Sequence, residues 1–149
     1  MNSDRRPAAP TAVIDTNTVL DWLLFDEPSA APIAAAVETG TLRWLACNSM
    51  RTECEHVLSR SEIARWQPDP ARVAQAWDRF AAMRPTPTPG PTWPRCTDPD
   101  DQVFIDLAIA ERATWLVTRD RALLKLRRRA AHFGVQVVRP PEWRLLPAG

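Results

Sequence analysis

The chain has 149 residues, 45% of them hydrophobic, so it can bury the core of one domain, and wholesale disorder is excluded. Its net charge of +1 gives no overall field that would attract nucleic acid or a membrane surface, so any such preference must come from local patches. No apolar run approaches the roughly 20 residues of a membrane span.

The first residues and the cysteines indicate the cellular compartment of the protein. Residues 1–10 contain two arginines but lack the apolar segment of a secretory signal. The three cysteines form no Cys-x-x-Cys pair, which fits a reducing compartment better than a disulfide framework. We therefore expect a cytoplasmic protein with no membrane partner. A flexible N-terminal arm is expected over residues 1–10, followed by a single domain over residues 11–149.

Short apolar runs alternate with helix signals from residue 12 onward. The predicted strands cover residues 12–15, 42–47, 115–118 and 135–138. The predicted helices cover residues 17–25, 32–39, 48–60, 70–83, 99–113 and 120–129. Asn48 or Ser49 is expected to cap the third helix, whereas Asp69 and Asp98 precede a proline at the first position of the fourth and fifth. The proline-rich segment that begins at Arg84 is predicted to be an extended surface connection.

This alternation predicts an α/β protein. We expect a three-layer α/β/α sandwich with a mainly parallel central sheet of about four to five strands. All strands of a parallel sheet end at one edge, and the helices that run back begin at that same edge. Ligands of open α/β sheets bind there.

Four acidic residues are predicted at this edge. Asp15 ends the first strand and Asp120 follows the third, while Asp101 lies in the first turn of its helix and Glu53 about one turn into another. Carboxylates that lie close together raise one another's pKa unless a cation sits among them. Oxygen ligands suit a hard divalent ion, so the sequence predicts a site for Mg²⁺ or Mn²⁺.

Each acid also has a simpler interpretation. Asp101 can stabilise a helix dipole, Asp120 can cap the helix that follows it, and Glu53 can be a solvated helix residue. Asp15 is harder to explain in this way, because a central strand followed by a helix leaves it little water. The joint placement of the four acids favours a site, since caps alone do not require it.

Four motifs, in order, resemble the PIN-domain family and its branch of bacterial toxin components, the VapC-like ribonucleases: VIDTNTVLDWLL, TECEHVLSR, DPDDQVFIDLA and WLVTRDRALL. The resemblance implies a PIN-like fold and a metal-dependent nuclease that acts mostly on single-stranded RNA. It implies that the catalytic and metal-binding residues are Asp15, Glu53, Asp101 and Asp120. Thr16, Asn17 and Thr118 would be supporting polar residues.

The partners implied are RNA, a small DNA-binding antitoxin and a second copy of the chain in a homodimer. An acidic pocket repels RNA, so nearby positive charge is needed, and Arg119 and Arg121 are the predicted substrate-binding residues. The basic run from Arg127 to Arg129 lies further along the same predicted helix. It is expected to contact more distant nucleotides or an acidic antitoxin segment.

Other functions remain open at this point. The chain can be a housekeeping RNA-processing nuclease of the same family, or a non-catalytic PIN-like scaffold with vestigial acids. A haloacid-dehalogenase-like phosphatase also begins with an aspartate at a strand end, but it normally has a second acid where this chain has Asn17. A response-regulator receiver requires a lysine on a later strand, whereas Lys125, the only lysine, lies in a predicted helix.

Overall fold

The computed structural model of the protein describes residues 8–145. Its strands are β1 (Thr11–Ile14), β2 (Arg43–Ala46), β3 (Ala81–Met83), β4 (Trp115–Val117) and β5 (Gln136–Val138). They form one five-stranded sheet in the order β3-β2-β1-β4-β5, and every neighbouring pair is parallel. The helices are α1 (Thr16–Leu23), α2 (Ala31–Glu38), α3 (Asn48–Leu58), α4 (Pro70–Phe80), α5 (Gln102–Ala110), α6 (Arg121–Leu124) and α7 (Arg127–Ala131).

The central strand β1 is covered on both faces. Ala12, Val13 and Ile14 are all buried, although successive side chains of a strand point to opposite faces of the sheet. Helix α5 packs against β1 and β4, while α1 contacts α3 and α3 contacts α4. The predicted three-layer sandwich with a parallel sheet is therefore confirmed.

Tryptophan side chains fill much of the core. The rings of Trp44 in β2 and Trp77 in α4 lie 4.4 Å apart between centroids. The ring of Trp115 in β4 lies 5.6 Å from that of Trp143, so the segment after β5 folds back against the sheet. Fully burying an aromatic side chain contributes roughly 1.5–3 kcal/mol to stability, so these rings help to hold the sheet in place.

Helix α4 is shorter than predicted, so the predicted end of this helix is wrong. Residues 81–83 were predicted to continue the helix, because Phe80 and Ala81 extend its apolar stripe. Helix α4 instead ends at Phe80, and Ala81 adopts extended backbone angles, φ −78° and ψ 125°. The three residues that follow Phe80 form β3, which pairs with β2. A strand of two alanines and a methionine carries no β-branched or aromatic residue, so strand propensity gave no signal.

The predicted helix over residues 120–129 is two helices. A 3₁₀-type hydrogen bond from the Leu126 amide to the Leu123 carbonyl, three residues earlier, separates α6 from α7. Both leucines are buried. Residues three apart eclipse in such a turn, which brings both side chains to the core. The cap of α3 was also assigned wrongly, since Cys47 precedes that helix in extended conformation and Asn48 is already helical.

The other predicted boundaries are close to the observed ones. Asp69 caps α4 as expected, and Asp98 caps a short 3₁₀ turn, Pro99–Asp101, that leads into α5. The predicted N-terminal arm lies mostly outside the described residues, although the Pro10 carbonyl accepts a bond from the Arg43 amide. In residues 8–145 we find no helix both long and apolar enough to cross a membrane.

Candidate metal centre

The four predicted acids line one cleft at the carboxyl edge of the sheet. The cleft has a volume of about 250 Å³. Asp15 follows β1, Asp120 precedes α6, Asp101 ends the 3₁₀ turn before α5, and Glu53 lies in α3. The residues come from four segments of the chain, and the parallel topology brings them together because these strand ends and helix starts share one edge.

Asp15 is the most buried of the four acids. Its side chain is held by two donors, since Oδ1 accepts from the Thr18 amide at 2.8 Å and Oδ2 accepts from the Thr118 hydroxyl. Burial raises the pKa of Asp15, and the bonds from Thr118 and Thr18 oppose that rise. The residue is thus a fixed carboxylate that caps α1 with one oxygen and faces β4 with the other.

Thr118 links Asp15 to Asp120. The Thr118 hydroxyl donates to Asp15 and accepts from the Asp120 amide at 2.9 Å. The Asp120 carboxylate accepts from the amides of Ala122 and Leu123 through Oδ1 alone. The predicted capping role of Asp120 is therefore real, but it uses one oxygen, and Asp120 still lines the cleft.

Asp101 has a carboxylate oxygen without a hydrogen-bond partner and a raised pKa. Among the described residues its Oδ2 atom is buried and accepts no hydrogen bond. Burial, then the negative charges of Asp120 and Asp98, raise the pKa of Asp101 to about 7. Although it stands at the N-terminus of α5, its side chain makes no capping bond there. The lack of a capping bond leaves the helix-dipole interpretation of Asp101 open, because the carboxylate still stands at the N-terminus of α5.

Glu53 faces the cleft from α3. Its Oε2 atom accepts a hydrogen bond from the Thr16 hydroxyl at 3.1 Å. Burial raises the pKa of Glu53, and the nearby charges of Asp100 and Asp15 raise it further, while Thr16 and Arg60 oppose the rise. Thr16 thus positions Glu53 as Thr118 positions Asp15.

These residues fit a hydrated magnesium-like ion better than a closed protein cage. In the part of the chain from residue 8 to 145, no three Asp, Glu, His or Cys side chains lie close enough together to form a ready ligand cluster. Mg²⁺ usually keeps several waters and is bound through only one or two carboxylates. A bound cation would give the unpartnered oxygen of Asp101 a partner. It would also lower the pKa values of the three acids in which they are raised.

A second, basic cleft adjoins the acidic one. It has a volume of about 580 Å³ and shares Asn17, Asp98 and Asp120 with the acidic cleft. Its cationic lining residues are Arg119, Arg121 and Lys125. Both predicted substrate-binding arginines are therefore at the edge where the acids converge.

Arg119 also has a structural partner. Its guanidinium lies 3.2 Å from Oδ1 of Asp21 in α1, whose side chain is only 7% exposed. Arg127 is likewise engaged, donating to the Val137 carbonyl and to Glu142. These bonds tie α7 to β5 and to the turn that follows, and contact of the basic run with distant nucleotides or an antitoxin stays a prediction.

Five charged residues around these clefts were not among the predicted site residues, and one of them is Lys125 in the basic cleft. Asp98, Asp100 and Arg60 line the acidic cleft, and Asp21 holds Arg119. The run of acids in DPDD and the single carboxylate within the apolar stretch VLDWLL were the signals available. Nothing in the sequence pattern marked Arg60, because it lies just beyond α3 in an otherwise polar stretch.

Fold and cleft together define a parallel α/β sandwich with a carboxylate-rich site at the strand ends. Residues 11–122 match the model of the PIN domain family, and the chain therefore belongs to that family. Membership of this family argues against the phosphatase and receiver alternatives.

A chain in the crystal structure of VapBC2 from Rickettsia felis bound to a DNA fragment from their promoter has a similar fold. The TM-score is 0.58, and the identity is 13% over 87% of this chain and 98% of that one. The chain has no significant match among curated proteins.

Proposed function

We propose that the protein is an endoribonuclease that hydrolyses phosphodiester bonds of single-stranded RNA and requires Mg²⁺ or Mn²⁺. The observation that carries this proposal is the convergence of Asp15, Glu53, Asp101 and Asp120 in one cleft. Membership of the PIN-domain family supports it, because the resemblance of the chain's motifs to that family implies a metal-dependent nuclease.

The four carboxylates would hold the ion directly or through water. A bound divalent ion lowers the pKa of a coordinated water and offsets negative charge on the leaving oxygen. Thr118 and Thr18 keep Asp15 in place, so its position does not have to adjust during the reaction. Hydrolysis would leave a 5′-phosphate and a 3′-hydroxyl, as the resemblance implies.

Glu53 is the residue best suited to orient the attacking water. Thr16 occupies its Oε2 atom, which leaves Oε1 to accept a hydrogen bond from water. Burial raises the pKa of Glu53, so its carboxylate takes up a proton more readily than an exposed glutamate does. Asn17 lines both clefts, and in this proposal its side-chain amide would donate to a phosphate oxygen.

Arg119 and Arg121 are the proposed phosphate-binding residues. Both line the basic cleft that shares Asp120 with the acidic one. One nitrogen of Arg119 contacts Asp21, but the side chain is 53% exposed, so its other donors can face a substrate. Two arginines at the rim offset the repulsion between RNA and the acids.

Within this nuclease function we favour the toxin of a toxin–antitoxin pair over a housekeeping enzyme. The structural relative, VapBC2, is a complex bound to promoter DNA. A small DNA-binding antitoxin and a homodimer are therefore the proposed protein partners. Inducing the wild-type gene alone should arrest bacterial growth, whereas Asp101→Asn should not. If neither strain were arrested, the result would favour the housekeeping role.

The activity is tested with a mixed-sequence single-stranded RNA and purified protein. Wild type and Asp26→Asn, which changes an exposed acid outside both clefts, should cleave the RNA with Mg²⁺ or Mn²⁺. Chelation by EDTA or the Asp15→Asn substitution should abolish cleavage. Undiminished cleavage in EDTA would reject the metal mechanism, and no cleavage with any divalent ion would favour a non-catalytic scaffold.

A further inference from the structure

Half of the acidic residues that line the acidic cleft come from one short turn. Asp98, Asp100 and Asp101 belong to residues 98–101, which we call the acidic turn. The Asp98 carbonyl accepts from the Asp101 amide at 3.1 Å, and the Asp98 side chain accepts from the Asp100 amide at 3.0 Å. No residue of the acidic turn is buried, so packing of its own side chains in the core does not fix its position.

The side chain of Gln102 closes a loop around the acidic turn. Gln102 follows the turn directly, and its Oε1 atom accepts from the amide of Cys96, two residues before the turn, at 2.7 Å. Its Nε2 atom donates to the Pro94 carbonyl at 2.9 Å. One side chain therefore joins the two ends of the segment that carries three cleft carboxylates, although Gln102 lines neither cleft.

Asp106 is a buried acid that the proposed reaction does not use. It lies in α5, is 5% exposed and lines neither cleft. Its Oδ1 atom accepts from Nε2 of Gln102 at 2.9 Å, which is its only side-chain hydrogen bond within residues 8–145. Burial raises the pKa of Asp106, and the bond from Gln102 and the charge of Arg95 oppose that rise. An apolar side chain at this position would avoid the cost of burying a carboxylate.

The spacing of the two residues lets Asp106 orient the Gln102 amide. Residues four apart share one face of a helix, and Gln–Asp pairs at this spacing form hydrogen bonds. An ionised carboxylate only accepts, so Asp106 selects the Nε2 end of the amide and leaves Oε1 for the Cys96 amide. The Pro94 carbonyl selects the same end. The amide orientation that closes the loop is therefore specified from α5 as well as from the segment before the turn.

From these contacts, and resting on the proposed function, we infer that Gln102 and Asp106 are positioning residues for the metal site. Asp106 orients Gln102, and Gln102 holds the acidic turn so that the carboxylate of Asp101 stays in the cleft with those of Asp15 and Asp120. Neither residue contacts the metal or the RNA. Residues that hold metal ligands in place typically change metal affinity about 10- to 100-fold when they are replaced.

The test is Mn²⁺ binding to the RNA-free protein at pH 8, followed by electron paramagnetic resonance. Gln102→Ala and Asp106→Ala should each bind the ion about tenfold more weakly than wild type. Asp106→Asn keeps an acceptor for Gln102 without the charge and should bind nearly as wild type does. The double alanine variant should bind no more weakly than Gln102→Ala, because Asp106 acts through Gln102.

The matched control is Ile109→Val, a buried position on the same helix. This variant should lower the melting temperature without weakening Mn²⁺ binding. A second measurement needs no metal. In EDTA the Asp101 amide, which is bonded to the Asp98 carbonyl, should exchange its hydrogen faster in Gln102→Ala and Asp106→Ala than in wild type and Ile109→Val.

Wild-type affinity or unchanged Asp101 exchange in Gln102→Ala would overturn the inference. Asp106→Asn binding as weakly as Asp106→Ala would assign the effect to charge, and a tenfold loss in Ile109→Val would assign it to stability. Either result would also overturn it. Wild type that binds no Mn²⁺ would reject the proposed function and this inference together, whereas tight binding by wild type and by both alanine variants would reject this inference alone.

Discussion

The hydroxyl of Thr118 donates a hydrogen bond to Oδ2 of Asp15, although the two residues are 103 positions apart in the chain. The bond joins the ends of two adjacent parallel strands, β1 and β4. Because Thr118 is fully buried and also accepts from the Asp120 amide, its hydroxyl fixes two of the candidate metal ligands relative to each other.

Thr118→Val should therefore destabilise the protein more than its change in volume explains. The valine leaves the buried Asp15 carboxylate and the Asp120 amide each without one partner, which costs about 1–3 kcal/mol. Thr118→Ser keeps the hydroxyl and should lose less. Urea denaturation at pH 8 gives both values. Equal stability of the Val and Ser variants would show that the hydroxyl has no such role.

The pKa of Asp101 predicts how stability depends on pH without metal. Its value of about 7 in the folded protein lies above the roughly 3.9 of an exposed aspartate. Between those values the folded state binds more protons than the unfolded state. The free energy of unfolding should therefore fall as pH rises from about 4 to about 7, and should level off above that range.

Asp101→Asn should flatten this pH dependence in EDTA. The flattening should be partial, because burial also raises the pKa of Asp15 and Glu53, which contribute with the same sign. The measurement is the melting temperature of wild type, Asp101→Asn and the control Asp26→Asn across that pH range. A wild-type curve that rises toward pH 7 while the Asn curve follows it would contradict the assignment.

Much of the site was predictable because it depends on strand ends. Asp15 and Asp120 follow apolar runs that read clearly as strands, and parallel topology then places them together without knowledge of any contact. Glu53 and Asp101 followed from helix positions at the same edge. The clefts themselves, and the two threonine bonds, depend on side-chain geometry that sequence spacing does not encode.

The parts that were missed depend on tertiary contacts. Strand β3 exists because it pairs with β2, not because Ala81, Ala82 and Met83 favour extended structure. The break between α6 and α7 arises from burial of Leu123 and Leu126 together. The pairing of Arg119 with Asp21 was not predicted, because the burial of Asp21 was not apparent from the sequence.

The Arg119–Asp21 pair gives a separate prediction. Arg119→Gln should lower the free energy of unfolding by about 1–2 kcal/mol, since it leaves a nearly buried carboxylate unpaired while the guanidinium itself is partly screened by water. Asp21→Asn in the same background should recover most of the loss. The control is Arg121→Gln, which breaks no ion pair among the described residues. Urea titration that finds equal stability for both arginine variants would reject the pair's role.

Gln102 fastens the proline-rich segment to α5. Its Nε2 atom donates to the Pro94 carbonyl and to Asp106, and its Oε1 atom accepts from the Cys96 amide at 2.7 Å. Gln102→Ala should cost about 1–3 kcal/mol, because it leaves partly buried polar groups without partners. Gln75→Ala, on the exposed side of α4, is the matched control. Denaturation midpoints that do not differ between the two variants would contradict this role.

Binding of Mn²⁺ tests the central claim, that carboxylates from four segments form one metal site, most directly. We would titrate the RNA-free protein with Mn²⁺ at pH 8 and follow binding by electron paramagnetic resonance. Wild type and Glu55→Gln, an exposed acid two residues from Glu53, should bind the ion equally. Asp101→Asn, Asp120→Asn and Glu53→Gln should each bind it much more weakly. No binding by wild type, or equal binding by all of these proteins, would contradict the account.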